Sequence, residues 1–308
     1  MGRPRNDFVD RLQYVGLRIV HMMMHCWPIE ANLRLAEFIG DFVYLIDRRH
    51  RLRAQQNIRL SFPHFSAERV DRLARESVRQ MFMLFVEVLF TVRLVHINTF
   101  TKYVRLGDFK KSLELLMNHR GLIMITGHHG NWEILGYVMA VLGFPTVSVA
   151  RPLDNKYVNE WLLGVRERKG QRIIDKKGAT TIVTETLDAK GTVGFIADQD
   201  AGKKGLFVDF FGRKASTYKS IGPLAMEYQV PVVIGYAERV NAKFTFKIGS
   251  SDIIYPEDWK NEEQPLQYIT QRYTKAIETF VRDAPGQYLW VHRRWKTRPK
   301  GETAEKYD

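Results

Sequence analysis

Residues 125–137 read ITGHHGNWEILGY, with two histidines, a glycine, an asparagine and a glutamate packed into positions 128–133 behind an apolar run. A neutral imidazole can take a proton from a hydroxyl near pH 7. A carboxylate on its far nitrogen fixes the tautomer and stabilises the imidazolium that forms. There is no Gly-x-Ser-x-Gly elbow, and the single cysteine, Cys26, lies in a poor context for a nucleophile. Direct general-base transfer to an acceptor is therefore simpler than a covalent intermediate. The spacing is weak evidence by itself: nine histidines and 34 acidic residues make about one such pair expected by chance, and His25–Glu30 is a second match. Context separates the two. HCWPIE holds a proline within a helical stretch, whereas HHGNWE follows a strand-like run and opens a helix.

Spacing leaves the choice of histidine open. His129 and Glu133 are four apart and share one face of a continuous helix, whereas His128 and Glu133 lie about 140° apart on it. A helix beginning only near Asn131, as Gly130 allows, puts His128 on the preceding loop and within reach of Glu133. Asn131 either orients His128 or serves as the helix N-cap, and Trp132 is placed to wall the adjoining channel. Condensation and chloramphenicol-acetyltransferase-like enzymes use His-His-x3-Asp-Gly with the second histidine catalytic. HHGNWEI departs from that pattern at Glu133 and Ile134, and the chain lacks the doubled architecture of such domains.

The elements that position these residues change character near residue 105. From 8 to about 105 apolar residues recur at helical spacing, punctuated by Pro28 and Pro63, and FSAERVDRLARESVRQMFMLFVEVLF predicts one long helix capped by Ser66. From about 110, short apolar runs at 121–126, 144–150, 172–175, 192–198 and 230–240 read as strands, with 243–249 extending the sheet. Helices are expected near 131–142, 155–169, 178–189 and 217–228, and a long one from Leu266 towards Pro285-Gly286. Near-continuous apolar strands alternating with helices imply an α/β core with a mostly parallel central sheet flanked by helices. The expected organisation is a helical lobe over 1–105 and an α/β core over 106–308, integrated as one domain.

Ligands in such sheets sit beyond the carboxyl ends of the strands. Asp198 and Gln199 follow TVGFIA and face the same crevice as His128 if their strands are parallel. Arg151, at the end of FPTVSVA, suits an anionic donor or acceptor, or is a surface arginine beside Pro152. AGKKG (201–205) lacks the spacing of a nucleotide loop, so ATP is not implied. No metal site is expected. His292, within LWVHRRWK, is expected to be structural. The aromatic and cationic residues around it suit a lipid headgroup interface, although RNA stacking uses the same types.

With 308 residues, 45% hydrophobic, and 47 Lys and Arg against 34 Asp and Glu, the chain carries +13 and favours an anionic partner. A single cysteine excludes an internal disulfide. No clean signal peptide is read, and no run reaches the roughly 18 apolar residues of a spanning helix. The first 53 residues combine aromatic and methionine-rich patches with an excess of arginine. They read either as helices lying in a membrane interface or as amphipathic helices packed on their own domain.

TGHHGNWE resembles the His-x4-Asp/Glu motif of the bacterial lipid A biosynthesis acyltransferase family, which also includes phosphatidylinositol mannoside acyltransferases. NIRLSFP (57–63), ARPLDN (150–155), LLGVRERKG (162–170), ADQDAGKKGLFVDFFGRKAST (197–217) and QYLWVHRRWKTRP (287–299) resemble segments of that family in the family's order. The resemblance implies a glycerolipid-acyltransferase-like fold, with His128 as base and Glu133 as its acid. It also implies an arginine pointing into the site at Arg166, or at the nearby Arg168, unless these make structural salt bridges. The 207–217 segment becomes part of the pocket wall, with Lys214 and Thr217 as candidate binding residues. The activity implied is O-acyl transfer from acyl carrier protein or coenzyme A thioester, as co-substrate and with no cofactor, to a glycolipid hydroxyl. Its place would be the cytoplasmic face of the bacterial inner membrane, with no nucleic acid as partner. The rival readings are a glycerophospholipid acyltransferase of the related His-x4-Asp class, against which Glu133 argues, and a non-enzymatic basic protein on membrane or nucleic acid. In the last case His128 and Glu133 are merely a helix-start hydrogen bond.

Overall fold

The computed structural model describes residues 6–118, 121–150, 152–167, 170–175 and 178–302. Four helices lead: α1 (Asp7–His25), α2 (Ile29–Ile46), α3 (Arg48–Ser61) and α4 (Ala67–Leu94). Pro28 sits at the N-cap of α2, and Ser66 caps α4 by accepting the Arg69 amide at 3.3 Å. The first helical stretch is thus cut where proline removes a donor and a hydroxyl supplies an acceptor.

The rest is α/β: α5 (Phe100–Tyr103), β1 (Val104–Leu106), α6 (Lys110–Met117), β2 (Leu122–Thr126), α7 (Trp132–Val141), β3 (Thr146–Ala150), α8 (Lys156–Glu167), β4 (Arg172–Asp175), α9 (Ala179–Asp188) and β5 (Thr192–Ile196). There follow β6 (Leu206–Phe210), β7 (Arg213–Thr217), α10 (Ile221–Tyr228), β8 (Val232–Arg239), β9 (Phe246–Ile254), α11 (Pro256–Trp259) and α12 (Pro265–Asp283). The main sheet has seven strands in the order β1-β9-β8-β2-β5-β3-β4. β8, β2, β5, β3 and β4 are mutually parallel, and β9 returns antiparallel to β8. The mostly parallel sheet expected from the apolar runs is therefore present. Every residue of β2 is buried, which is why LIMIT shows no alternation.

Two departures concern the sheet margins. The helical rhythm expected to about 105 gives way at Val104 to a short edge strand, β1, paired parallel with β9. The segment expected as a strand at 243–249 enters the sheet only at Phe246 and runs on to Ile254. β6 and β7 form a separate antiparallel hairpin, with Phe211 and Gly212 at positive φ in its turn.

Two hydrophobic clusters join helices to sheet. Ile58, Val70 and Val78 of α3 and α4 pack with Ile123, Ile125 and Ile234. Leu33, Val86 and Phe90 of α2 and α4 pack with Met124, Ile134 and Val233. The N-terminal helices therefore share the core that holds the sheet in place.

Candidate active site

β2 and β5 lie side by side in parallel, and their exits are tied by the Ala197 amide bonding the Thr126 carbonyl at 3.0 Å. Gly127-His128 and Asp198-Gln199 therefore emerge together. His128 Nδ1 lies 2.7 Å from Asp198 Oδ1, and the His128 backbone amide donates to Asp198 Oδ2 at 2.8 Å. A carboxylate on Nδ1 fixes its proton there and leaves the Nε2 lone pair free to act as a base. The Gln199 side-chain amide nitrogen lies 3.3 Å from Nε2.

Asp198 is 2% exposed. Burial pushes its carboxyl up, but the His128 ring, the neighbouring His292 and the His128 amide outweigh that and hold it well below the usual carboxylate range. It is ionised at neutral pH and stabilises positive charge as it appears on His128. The His128 ring stands edge-on to Trp132 at 4.8 Å and to His292 at 4.7 Å between centroids.

The carboxylate partner differs from the one the spacing suggests. α7 starts at Trp132, so Glu133 lies on its first turn. There it lines a small cavity with Val88, Thr91, Val92, Tyr137 and Gln171, and Asp198 takes Nδ1 of His128. The orienting contact expected of Glu133 is therefore made by Asp198, because a loop histidine between two parallel strands faces the neighbouring strand exit.

His129 is 1% exposed, its Nε2 lies 3.1 Å from the Ala284 carbonyl, and its backbone pairs with Tyr288. Burial pushes its pKa down to about 4, so it is neutral at physiological pH and turned away from the crevice. The geometry thus separates the two histidines that the spacing left open.

The loop is locked on all sides. Gly130 has φ +56, and a Cβ there would come within 2.0 Å of the Ala237 carbonyl oxygen. The Gly130 amide donates to the Gln287 carbonyl, and its own carbonyl accepts from Gln80 at 2.6 Å. Asn131 is buried. Its side chain accepts the Ile134 amide at 2.9 Å as the N-cap of α7 and donates to Glu87 at 2.9 Å. Glu87 pairs with Arg239, which also bonds Gln80. Burial pushes the Glu87 carboxyl up, against the opposing pull of Arg239 and Asn131.

The other candidates fall in different places. Thr217 is buried, accepting from Arg294 at 2.6 Å, and Arg294 also bonds the Gln199 carbonyl at 3.2 Å. Thr217 thereby braces the strand exit from behind. Lys214 is exposed on the hairpin and pairs with Asp209 at 3.2 Å. Arg151 and Arg168 lie outside the described residues, as does the side chain of Arg166.

His292 is the residue whose placement sequence reasoning missed. It reaches His128 from the C-terminal segment, and the only available hint was its membership of a basic, aromatic motif with no helical or strand period. Among the described residues no group of three or more His, Cys, Asp or Glu is placed to hold a metal ion.

A buried carboxylate on Nδ1, an imidazole whose Nε2 faces the Gln199 amide, and a strand-end crevice are the groups that general-base chemistry requires. The family model described as bacterial lipid A biosynthesis acyltransferase matches residues 9–297, nearly the whole chain and all of this site. The chain belongs to the bacterial lipid A biosynthesis acyltransferase family. Among curated relatives, it is similar to the lipid A biosynthesis palmitoleoyltransferase of Escherichia coli strain K12, at 28% identity over 300 residues covering 95% of this chain and 94% of that protein. A lipid A biosynthesis acyltransferase of Haemophilus influenzae is 24% identical over 89% of this chain and 85% of its own. The lipid A biosynthesis lauroyltransferase of E. coli strain K12 is 22% identical over 94% and 93%. As a member of this acyltransferase family the chain is an enzyme.

Proposed function

We propose that this acyltransferase moves a fatty acyl group from a thioester to a hydroxyl of a lipid A precursor, with His128 as general base and Asp198 as its orienting carboxylate. The observation that carries this reading is the 2.7 Å contact between His128 Nδ1 and Asp198 at the carboxyl ends of two parallel strands. The acceptor hydroxyl takes the position at Nε2 now held by the Gln199 amide. His128 removes its proton as the oxygen attacks the thioester carbonyl and the C–O bond forms. The tetrahedral intermediate collapses, the C–S bond breaks, and the departing thiolate takes the proton back from His128. The pair accounts for every proton moved, so we propose no resident cofactor, the acyl thioester being a co-substrate. The arrangement also supports a glycerolipid-acyltransferase-like ancestry for the core. Glu133, on the first turn of α7, is assigned to the small cavity it lines with Val88, Thr91 and Tyr137, and takes no part in the proton transfer.

Charge supports an acidic donor. Lys203, Lys204, Arg293, Lys296 and Lys300 are exposed on the segments that carry Gln199 and His292. Acyl carrier protein and the phosphates of coenzyme A both complement such a rim.

The first two helices support a membrane interface. Phe8 (73% exposed), Leu12, Phe38 (68%), Phe42, Leu45 and Ile46 present large apolar side chains to solvent, and Arg34, Arg48 and Arg49 lie exposed among or beside them. Such a face suits α1 and α2 lying in the headgroup region on the cytoplasmic side of the inner membrane. Among the described residues no helix is long and apolar enough to cross a membrane.

The test is acyl transfer by the purified protein with a panel of donors and acceptors. Acyl carrier protein and coenzyme A thioesters are each offered a lipid A precursor, a phosphatidylinositol mannoside or a lysophospholipid, and products are read by mass spectrometry. Acylation of the lipid A precursor supports the reading. Acylation of the lysophospholipid alone, or of no acceptor, overturns it.

A further inference from the structure

His292 lies against His128, yet the proton transfers between acceptor, His128 and thiolate do not involve it. Its main chain is fixed on three sides. The His292 carbonyl accepts from Asn57 at 3.0 Å, and its amide bonds the Leu289 carbonyl at 3.2 Å. The preceding Val291 carbonyl accepts from Arg53 at 3.2 Å. Its ring stands at 73° to the His128 ring, 4.7 Å away between centroids. A main chain held this firmly fixes where the ring leaves it, beside the base.

The ring nitrogens differ. Nδ1 of His292 is buried and has no hydrogen-bond partner among the described residues. A buried N–H without an acceptor is rarer and costlier than a buried lone pair without a donor, so the proton of the neutral ring belongs on Nε2. Burial, reinforced by the neighbouring His128, pushes the His292 pKa down to about 4, so the ring is neutral wherever the enzyme operates near pH 7. It is thus unsuited to share the proton that His128 carries. It is instead an uncharged N–H donor beside the base. A neutral imidazole can stabilise an oxyanion in this way, because it gives a hydrogen bond without giving up its proton.

We propose that His292 is a catalytic residue that donates a hydrogen bond from Nε2 to the carbonyl oxygen of the acyl thioester as that oxygen becomes negative. The inference rests on the reading of His128 as base. Its proton bookkeeping is closed: His128 takes the acceptor proton and returns it to the thiolate, and His292 keeps its own throughout. The thioester carbonyl then lies beside the two contacting rings, its oxygen towards His292 and the attacking oxygen on the His128 side.

The experiment is steady-state acyl transfer by His292→Ala, His292→Gln and His128→Ala, each checked for wild-type circular dichroism and melting. The proposal expects kcat of His292→Ala to fall about 10²- to 10³-fold, the usual cost of removing one oxyanion donor. The KM for donor and for acceptor should stay within about threefold, and the shape of the pH–rate profile should not change. Glutamine, which restores an N–H donor, should recover at least about tenfold over alanine. A folded His292→Ala enzyme within about threefold of wild-type kcat overturns the proposal, as does a loss confined to KM or a glutamine variant no better than alanine. His128→Ala separates the two claims. If it is inactive while His292→Ala is not, only the role of His292 falls; if it stays active, the base assignment itself has failed.

Discussion

Replacing Asp198 by asparagine discriminates between the two carboxylates that could serve His128. Asparagine is isosteric, so its amide oxygen can still accept the His128 backbone amide where Oδ2 now does at 2.8 Å. The other end becomes an NH2 facing Nδ1 at the 2.7 Å position of Oδ1. Two donors cannot face each other, so the proton of the neutral ring moves to Nε2 and the lone pair turns away from the acceptor. A forced wrong tautomer of this kind costs about 10⁴-fold in kcat, or about 5.5 kcal/mol at 1.36 kcal/mol per factor of ten. The assay is single-turnover acyl transfer from a radiolabelled acyl thioester, in parallel with Glu133→Gln. Asp198→Asn should lose at least about 10³-fold with its fold intact, and Glu133→Gln should lose far less. If Asp198→Asn keeps more than about a tenth of wild-type activity while Glu133→Gln is inactive, the assignment of the dyad is wrong.

Gly130→Ala should destabilise the protein by about 2–4 kcal/mol, from a strained positive φ and a Cβ against the Ala237 carbonyl; a urea midpoint within error of wild type contradicts this. Acid should also weaken the fold. Burial holds the His129 pKa at about 4 in the folded protein against about 6.5 for an ordinary histidine, so the unfolded chain binds more protons between those values and stability falls as pH drops from about 6.5 to about 4. At 1.36 kcal/mol per unit that is about 3 kcal/mol from His129, His292 adds in the same window, and His129→Gln should flatten the slope measured by urea titration at pH 7 and pH 4.5. Phe38→Asp with Phe42→Asp places charge on the exposed face of α2 and should release the protein from anionic phospholipid vesicles without lowering Tm; unchanged co-sedimentation contradicts the interfacial role.

Much of the fold was legible because a buried parallel strand has little choice of residue. β2 and β4 fall within the apolar runs that predict them, and Ser66 marks the start of α4 by the chemistry of its hydroxyl. The edge strand β1 was not legible: three residues, two of them exposed, carry no apolar run. At the site, Asn131 as an N-cap and the shared crevice of His128, Asp198 and Gln199 follow from local rules and strand-end geometry. The pairing of His128 with Asp198 does not, because the two lie 70 residues apart and meet only through the register of β2 with β5. Glu133 drew attention because sequence displays neighbours along the chain, whereas a loop side chain between parallel strands meets the next strand. His292 was hidden for the same reason, since its position depends on hydrogen bonds from Asn57 and Arg53 in a helix at the far end of the chain.

The central claim is that the Nε2 lone pair of His128 takes the acceptor proton in acyl transfer to a lipid A precursor. Single-turnover transfer by His128→Ala, with wild-type folding and vesicle binding verified, tests it most directly. The account predicts a loss of at least about 10³-fold with the acceptor still bound; transfer at near the wild-type rate would contradict it.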